Sequence, residues 1–160
     1  MNRIPAAPRG RLRLTVRSPT GAVVATRETR NTVLRNGARL IARLFTGQGG
    51  QAINRLQLGF AQQEAGVDAT SLTQADPPLD VAVLRADIAS AAFTIDTAPP
   101  DLVRVSVNAL FTPSVTLANV TEAGLMANDE LYNQVVFEPV TLEPGQNITF
   151  FWQIDFPFGH

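Results

Sequence analysis

Residues 147–156, with the sequence N-I-T-F-F-W-Q-I-D-F, constrain the fold more than any other segment of the chain. Large apolar side chains occupy alternate positions here, namely Ile148, Phe150, Trp152, Ile154 and Phe156. Because successive side chains of a β-strand point to opposite faces, this spacing predicts a strand with one buried face. Only Phe151 departs from the alternation. We expect this strand to form the centre of a hydrophobic core.

Similar alternation recurs along the chain, and turn signals separate the segments. It predicts further strands at residues 11–17, 22–27, 53–60, 102–111, 115–121 and 131–142, the last of them interrupted at Pro139. Tight turns are expected at residues 18–21 and 143–146, and residues 61–80 read as a long surface loop. Residues 79–93 are compatible with a strand or with a short helix followed by a strand. The pattern predicts a mainly β fold, an antiparallel and jelly-roll-like β-sandwich.

One segment, residues 31–45, changes to helical spacing. Leu34, Ala38, Ile41 and Phe45 recur at intervals of three or four, as on one face of an α-helix. Asn31 is the expected N-cap, and a glycine at position 47 is the expected stop. With prolines and a glycine in residues 1–10, we predict an extended N-terminal arm followed by a single domain over residues 11–160.

The composition argues against most site chemistry. Cysteine and lysine are absent and the single histidine is the last residue, His160. Disulfides, thiolate metal sites, Schiff-base chemistry and a histidine-based catalytic triad are therefore not expected. The glycine-rich residues 47–50 follow a helix instead of opening one, which argues against a nucleotide site. We predict no cofactor, no metal and no enzyme, with a hydrolase using paired acids as the catalytic alternative.

Charge is distributed unevenly along the chain. Ten of the thirteen arginines lie in the first 43 residues, where Glu28 is the only acid. This asymmetry indicates either opposite ends of a compact domain or a basic face that docks on an acidic surface, such as another copy of the chain. The candidate interface residues are Arg11, Arg13, Arg35, Arg39 and Arg43. No aromatic residue lies among the arginines before Phe45, so nucleic acid is not the expected partner.

The beginning of the sequence lacks the apolar segment of a signal peptide, and no run approaches the about 18 apolar residues of a membrane span. We therefore expect neither a secretory signal nor a transmembrane segment. Glu122 is expected to be buried at the end of a strand. There it should make a hydrogen bond or an ion pair with an N-terminal arginine, because an unpaired buried carboxylate is costly.

Several segments together resemble small structural proteins of tailed bacteriophages. They are T-E-A-G-L at 121–125, L-Y-N-Q-V-V-F-E-P at 131–139, E-P-G-Q-N-I-T-F at 143–150, W-Q-I at 152–154, and in the first half N-T-V at 31–33, Gly37 and L-Q-L-G at 56–59. Met126 and Gln134 depart from the pattern, which commonly has phenylalanine and arginine there. The resemblance implies a virion component, either a capsid decoration protein or a tail or baseplate subunit, and it supplies no catalytic residues.

We therefore expect a non-enzymatic structural subunit that is made in the host cytoplasm and located in the virion. It should form homo-oligomers and dock on other virion proteins. The alternative is a module that binds carbohydrate or a cell surface through the loop at residues 61–80.

Overall fold

The computed structural model describes residues 9–159, and within them the chain forms one curled antiparallel sheet with a single α-helix. The ten strands are β1 (Arg9–Arg17), β2 (Val23–Val33), β3 (Arg55–Gly59), β4 (Arg85–Asp87), β5 (Phe93–Asp96), β6 (Leu102–Phe111), β7 (Leu117–Ala127), β8 (Glu130–Leu131), β9 (Asn133–Leu142) and β10 (Asn147–Pro157). The helix α1 spans Arg35–Thr46, and two short 3-10 helices span Val81–Leu84 and Ser90–Ala92. The mainly β prediction with one α-helix is confirmed.

The strands follow one hydrogen-bonded path in the order β4-β3-β7-β9-β2-β1-β10-β6-β5, with β8 paired to β7. The sandwich or jelly-roll prediction assumed two sheets facing each other, whereas the sheet curls into a half-barrel. Curling brings β4, at one edge, against β6 near the other edge. Leu84 and Ile88, which flank β4 in the sequence, are buried in the core. A curled sheet thus buries the same alternating apolar face that two stacked sheets would bury.

Strand β10 supplies the two largest fully buried side chains of the core, as its alternation predicts. Ile148, Phe150 and Trp152 are fully buried, and the rings of Phe150 and Trp152 stack with centroids 5.7 Å apart. Their neighbours on β1 are Leu12, Leu14 and Val16, which face the same core. The strand begins at Asn147 and extends one residue beyond the predicted end, to Pro157.

The start of the helix differs from the prediction. Asn31 is not the N-cap, because β2 continues to Val33 and pairs there with β9. The N-cap is Leu34, whose side chain makes no capping hydrogen bond. The Arg35 N–H of the first turn donates to the Val67 carbonyl instead, at 2.8 Å. The predicted stop is confirmed, since Gly47 adopts a left-handed conformation with φ of 69°.

Two further predictions concern the ends of elements. Strand β1 begins at Arg9, so residues 9 and 10 belong to the sheet and not to the predicted arm, because Arg9 pairs with Asp155 and Gly10 with Ile154. Residues 1–8 of the predicted arm lie outside the described residues.

Strand β9 runs through Pro139 without the predicted interruption, but its pairing with β7 shifts register between Val136 and Val140, as in a bulged strand. On its other side, β2 pairs with β9 only at Thr32 and Val33, which leaves a gap beside Pro139. Arg27 spans the gap by donating to the carbonyls of Glu138, at 3.0 Å, and Pro139, at 2.8 Å.

Candidate functional site: an arginine-lined cleft

A cleft of about 620 Å³ opens on the outer face of the sheet. Its lining comes from four neighbouring strands, β2, β1, β10 and β6, and consists of Arg9, Gly10, Arg11, Arg30, Asn31, Arg104, Gln153 and Asp155. Four of these eight residues are arginines and one is an acid, so the cleft is strongly basic.

Strand register brings these side chains together. Arg11 of β1 lies directly opposite Arg30 of β2 on one side and Gln153 of β10 on the other. Two residues earlier, Arg9 lies opposite Asp155, which in turn faces Arg104 of β6. Leu12, Leu14 and Val16 point into the core. Because side chains alternate along a strand, Arg9, Arg11 and Arg13 of β1 must point outward.

Only part of this charge is balanced within the chain. Asp155 accepts two hydrogen bonds from the Arg104 guanidinium, at 2.7 Å and 3.0 Å, and these bonds raise the pKa of Arg104. Glu28 is 3.9 Å from Arg11 and 3.8 Å from Arg13, and it is half exposed to water. Within residues 9–159, Arg9 and Arg30 form no ion pair. The cleft therefore keeps an excess of positive charge.

The floor of the cleft is fixed by a close approach of two strands. Gly10 pairs with Asn31, and a Cβ atom at Gly10 would lie only 1.3 Å from Asn31 Oδ1. A larger residue at position 10 would therefore require the Asn31 side chain to move. Both polar atoms of the Asn31 amide are buried and have no hydrogen-bond partner among the described residues.

Phe151, the residue out of pattern in β10, lies beside the cleft. It pairs with Arg13 and contributes with Arg11, Arg13 and Gln153 to a small depression of about 30 Å³. An aromatic side chain therefore does lie among the arginines, although none is near them in the sequence. In the sequence, Phe151 stands out only as a break in the alternation, and its position beside Arg13 was not predicted.

The predicted interface arginines fall into two groups. Arg11 lines the cleft and Arg13 lies next to it, as described above. Arg35, Arg39 and Arg43 belong to α1 and line neither depression. Arg9, Arg30 and Arg104 belong to the cleft but were not among the candidates. Arg9 falls in the predicted arm, and extending the alternation of residues 11–17 backwards would have found it, whereas only pairing between distant strands reveals Arg30 and Arg104.

The helix arginines are partly engaged with acids of the same chain. Arg35 donates to Asp68 at 2.5 Å, and this hydrogen bond raises the pKa of Arg35. Arg43 forms an ion pair with Glu130. Arg39 is exposed and forms no ion pair among residues 9–159.

The helix also carries an exposed apolar face. Phe45 is 91% exposed, and Ile41 and Leu44 beside it are 40% and 41% exposed. The buried residues Gly37 and Leu40 lie on the same side of the helix, so the exposed apolar groups extend the packed side beyond the part that the chain itself covers. Exposed apolar groups at helical spacing are unusual on an isolated domain and typical of protein interfaces.

The irregular loop predicted at residues 61–80 is confirmed, and buried polar groups hold it against the sheet. The Thr73 N–H donates to Glu122 at 2.8 Å, and the Ala65 N–H donates to Gln134 at 3.0 Å. Gln134 in turn donates to Glu122. Whether the loop binds carbohydrate or a cell surface stays a prediction.

Glu122 is fully buried in the middle of β7, not at a strand end. Burial raises the pKa of its carboxyl group, while hydrogen bonds from Gln134 and from backbone amides, including that of Thr73, oppose this shift. The expected arginine partner is absent among the described residues, and Gln134 occupies that role.

In the described part of the chain, no three histidine, cysteine or acidic side chains cluster as a metal site would require. No helix between residues 9 and 159 has the length and apolar character needed to cross a membrane. Compared with family models, with curated proteins and with solved structures, the chain matches none.

Proposed function

We propose that this protein is a non-enzymatic structural subunit of a tailed-phage or phage-like particle, acting by self-association and by docking on neighbouring virion proteins. The observation that carries the proposal is the arginine-lined cleft, whose charge is not balanced within residues 9–159. A surface of this kind is complemented when another protein supplies acidic groups.

The exposed apolar side chains of α1 form a second surface that supports a docking role. Phe45, Ile41 and Leu44 give a neighbouring subunit an apolar contact, and the exposed Arg39 lies on the same helix. Interfaces commonly combine an apolar centre with arginine, because the guanidinium group binds carboxylates in a fixed geometry. The resemblance of the sequence to small phage structural proteins favours a virion as the place of assembly.

Labelling with a gold-conjugated antibody on particles purified from the source organism tests the proposal. Gold over heads would identify a decoration protein, and gold on the tail would identify a tail or baseplate subunit. If the antibody recognises the pure protein but labels no particle, the virion proposal is wrong. The carbohydrate-binding module would then be the better account.

A variant comparison tests the docking step. Phe45→Ser should reduce incorporation into particles, since it removes the most exposed aromatic side chain from the helix. Ile95→Ser is the matched control, because Ile95 is 68% exposed on the edge strand β5, away from the helix. Equal incorporation of the two variants would show that the helix face is not a docking surface.

A further inference from the structure

The cleft contains a repulsive pair that an anion would relieve. Arg11 and Arg30 are direct cross-strand neighbours on the outer face of the sheet. Like charges in this relationship destabilise an antiparallel pair. Among residues 9–159, Arg11 forms an ion pair only with Glu28, and their 3.9 Å separation is too long for a hydrogen bond. An anion bound between the two guanidinium groups would remove the repulsion.

The cleft itself shows which anion suits it. Arg104 already binds the Asp155 carboxylate through two parallel hydrogen bonds. Arg9, Arg11 and Arg30 offer the same planar donors, and these match carboxylate groups. A volume of about 620 Å³ is enough for several side chains of an extended segment.

The long loop at residues 61–80 has matching chemistry. Residues 61–80 contain four acids and no basic residue, and Glu64, Asp76 and Asp80 are exposed. Hydrogen bonds at Ala65 and Thr73 hold the loop in a defined position, which lowers the entropic cost of binding. The described lining of the cleft includes no residue of this loop, so a chain does not fill its own cleft with this segment.

We propose that the arginine cleft of one copy receives the acidic loop, residues 61–80, of a second copy. This inference rests on the proposed function and specifies how copies join. The cleft and the loop are different surfaces, so the contact is head to tail and can repeat into a ring or a filament. The copies should associate more strongly at low salt, because the contact is between charges.

Exchange of charges between the two surfaces tests the pairing. The cleft variant carries Arg11→Glu with Arg30→Glu, and the loop variant carries Glu64→Arg with Asp76→Arg. Neither Glu64 nor Asp76 makes a side-chain hydrogen bond or ion pair within residues 9–159. Each variant alone should lose self-association by at least about tenfold in sedimentation velocity at low salt. An equal mixture should recover it, because each reversed surface then meets its complement.

Control variants separate this contact from general charge effects. Glu138→Arg with Glu143→Arg reverses two exposed acids outside the loop, and Arg17→Glu reverses an exposed arginine outside the cleft. Both should associate like the unchanged protein. Fluorescence of Trp152, the only tryptophan, reports whether each variant is folded.

Three results would overturn the inference. In the first, the unchanged protein is a monomer at low salt. In the second, the mixture of the two variants fails to recover association. In the third, the cleft binds a short oligonucleotide while the copies do not associate. If gold nevertheless labels particles, the virion role and docking on other virion proteins stand, and the loop-to-cleft contact between copies is wrong. Absence of both labelling and association would contradict the two proposals together.

Discussion

The side-chain amide of Gln134 on β9 donates a hydrogen bond to the buried carboxyl group of Glu122 on the adjacent strand β7. The other Glu122 oxygen accepts from the Thr73 N–H at 2.8 Å, and the Gln134 oxygen accepts from the Ala65 N–H at 3.0 Å. All donors in this chain of bonds point toward Glu122. The two side chains therefore join the loop to the sheet through hydrogen bonds whose donors and acceptors are all fixed.

Exchanging Glu122 and Gln134 should lower the free energy of unfolding less than changing either residue alone. Glu122→Gln places an amide donor against the Thr73 N–H or the Gln134 amide, and an unpaired buried donor costs about 1–3 kcal/mol. Gln134→Glu places two buried carboxyl groups face to face, which is also unfavourable. The double variant restores all three bonds. The carboxylate introduced at position 134 then accepts from the Ala65 N–H and from the amide introduced at position 122, whose oxygen accepts from the Thr73 N–H.

Urea unfolding of the unchanged protein, the two single variants and the double variant measures this coupling. We expect a favourable coupling free energy of about 0.5–3 kcal/mol between positions 122 and 134. Strictly additive single effects would contradict the hydrogen-bond assignment.

Stability should depend on pH through Glu122. Burial raises the pKa of this carboxyl above its ordinary value of 4.5, so the folded chain holds the proton more tightly than the unfolded chain. The free energy of unfolding therefore falls as pH rises from 4.5 through the raised pKa, by at most about 1.4 kcal/mol per pH unit. Below this window and above it, Glu122 adds no further change.

Glu122→Gln isolates this contribution from the other acids. The difference in unfolding free energy between the unchanged protein and Glu122→Gln should shift in favour of the unchanged protein as pH is lowered through the window. Urea unfolding at a series of pH values measures the difference. A pH-independent difference would show that Glu122 is not the group that titrates.

Gly37 is expected to tolerate no side chain, although it lies inside a helix. A Cβ atom there would lie 2.1 Å from the Tyr132 carbonyl oxygen, a backbone atom that also accepts a hydrogen bond from the Leu34 N–H. Alanine favours the helix by about 1 kcal/mol, but overpacking of this kind typically costs about 1–3 kcal/mol. Gly37→Ala should therefore lower the denaturation midpoint. Gly66→Ala, where nothing lies within 4 Å, is the control and should have little effect. A stabilising Gly37→Ala would mean that α1 does not pack on Tyr132.

Local patterns in the sequence predict the strands well where one face is buried. Residues 147–156 and 11–17 correspond closely to β10 and β1, because alternation depends only on neighbours along the chain. The start of α1 was missed for the opposite reason. Asn31 carries a good capping signal, but pairing of Thr32 with Gln134 of β9 extends the strand past it. A contact about a hundred residues distant in sequence thus overrides the local preference.

The cleft could be predicted only in part. Alternation over residues 11–17 places Arg11 and Arg13 on one outer face, and this much is visible in the sequence, whereas Arg9 falls in the predicted arm. Arg30 and Arg104 join them because β1 pairs with β2 and β10, and β10 pairs with β6. Nothing local specifies those pairings, so the sequence revealed excess basic charge but not the cleft that collects it.

Tyr132 provides a direct test of the packing beneath α1. It is the only tyrosine in the chain, so the ultraviolet absorbance of phenolate reports its ionisation alone. The side chain is 2% exposed, and burial raises the pKa of Tyr132 from 10.0 to about 12. The folded protein should therefore titrate near pH 12, and the protein in guanidinium should titrate near pH 10. Since the unfolded chain loses this proton first, the free energy of unfolding should decrease above pH 10.

Tyr132→Phe is the control and should remove the absorbance change. A midpoint near 10 with unchanged circular dichroism would mean that the phenol is open to water and that α1 does not cover it.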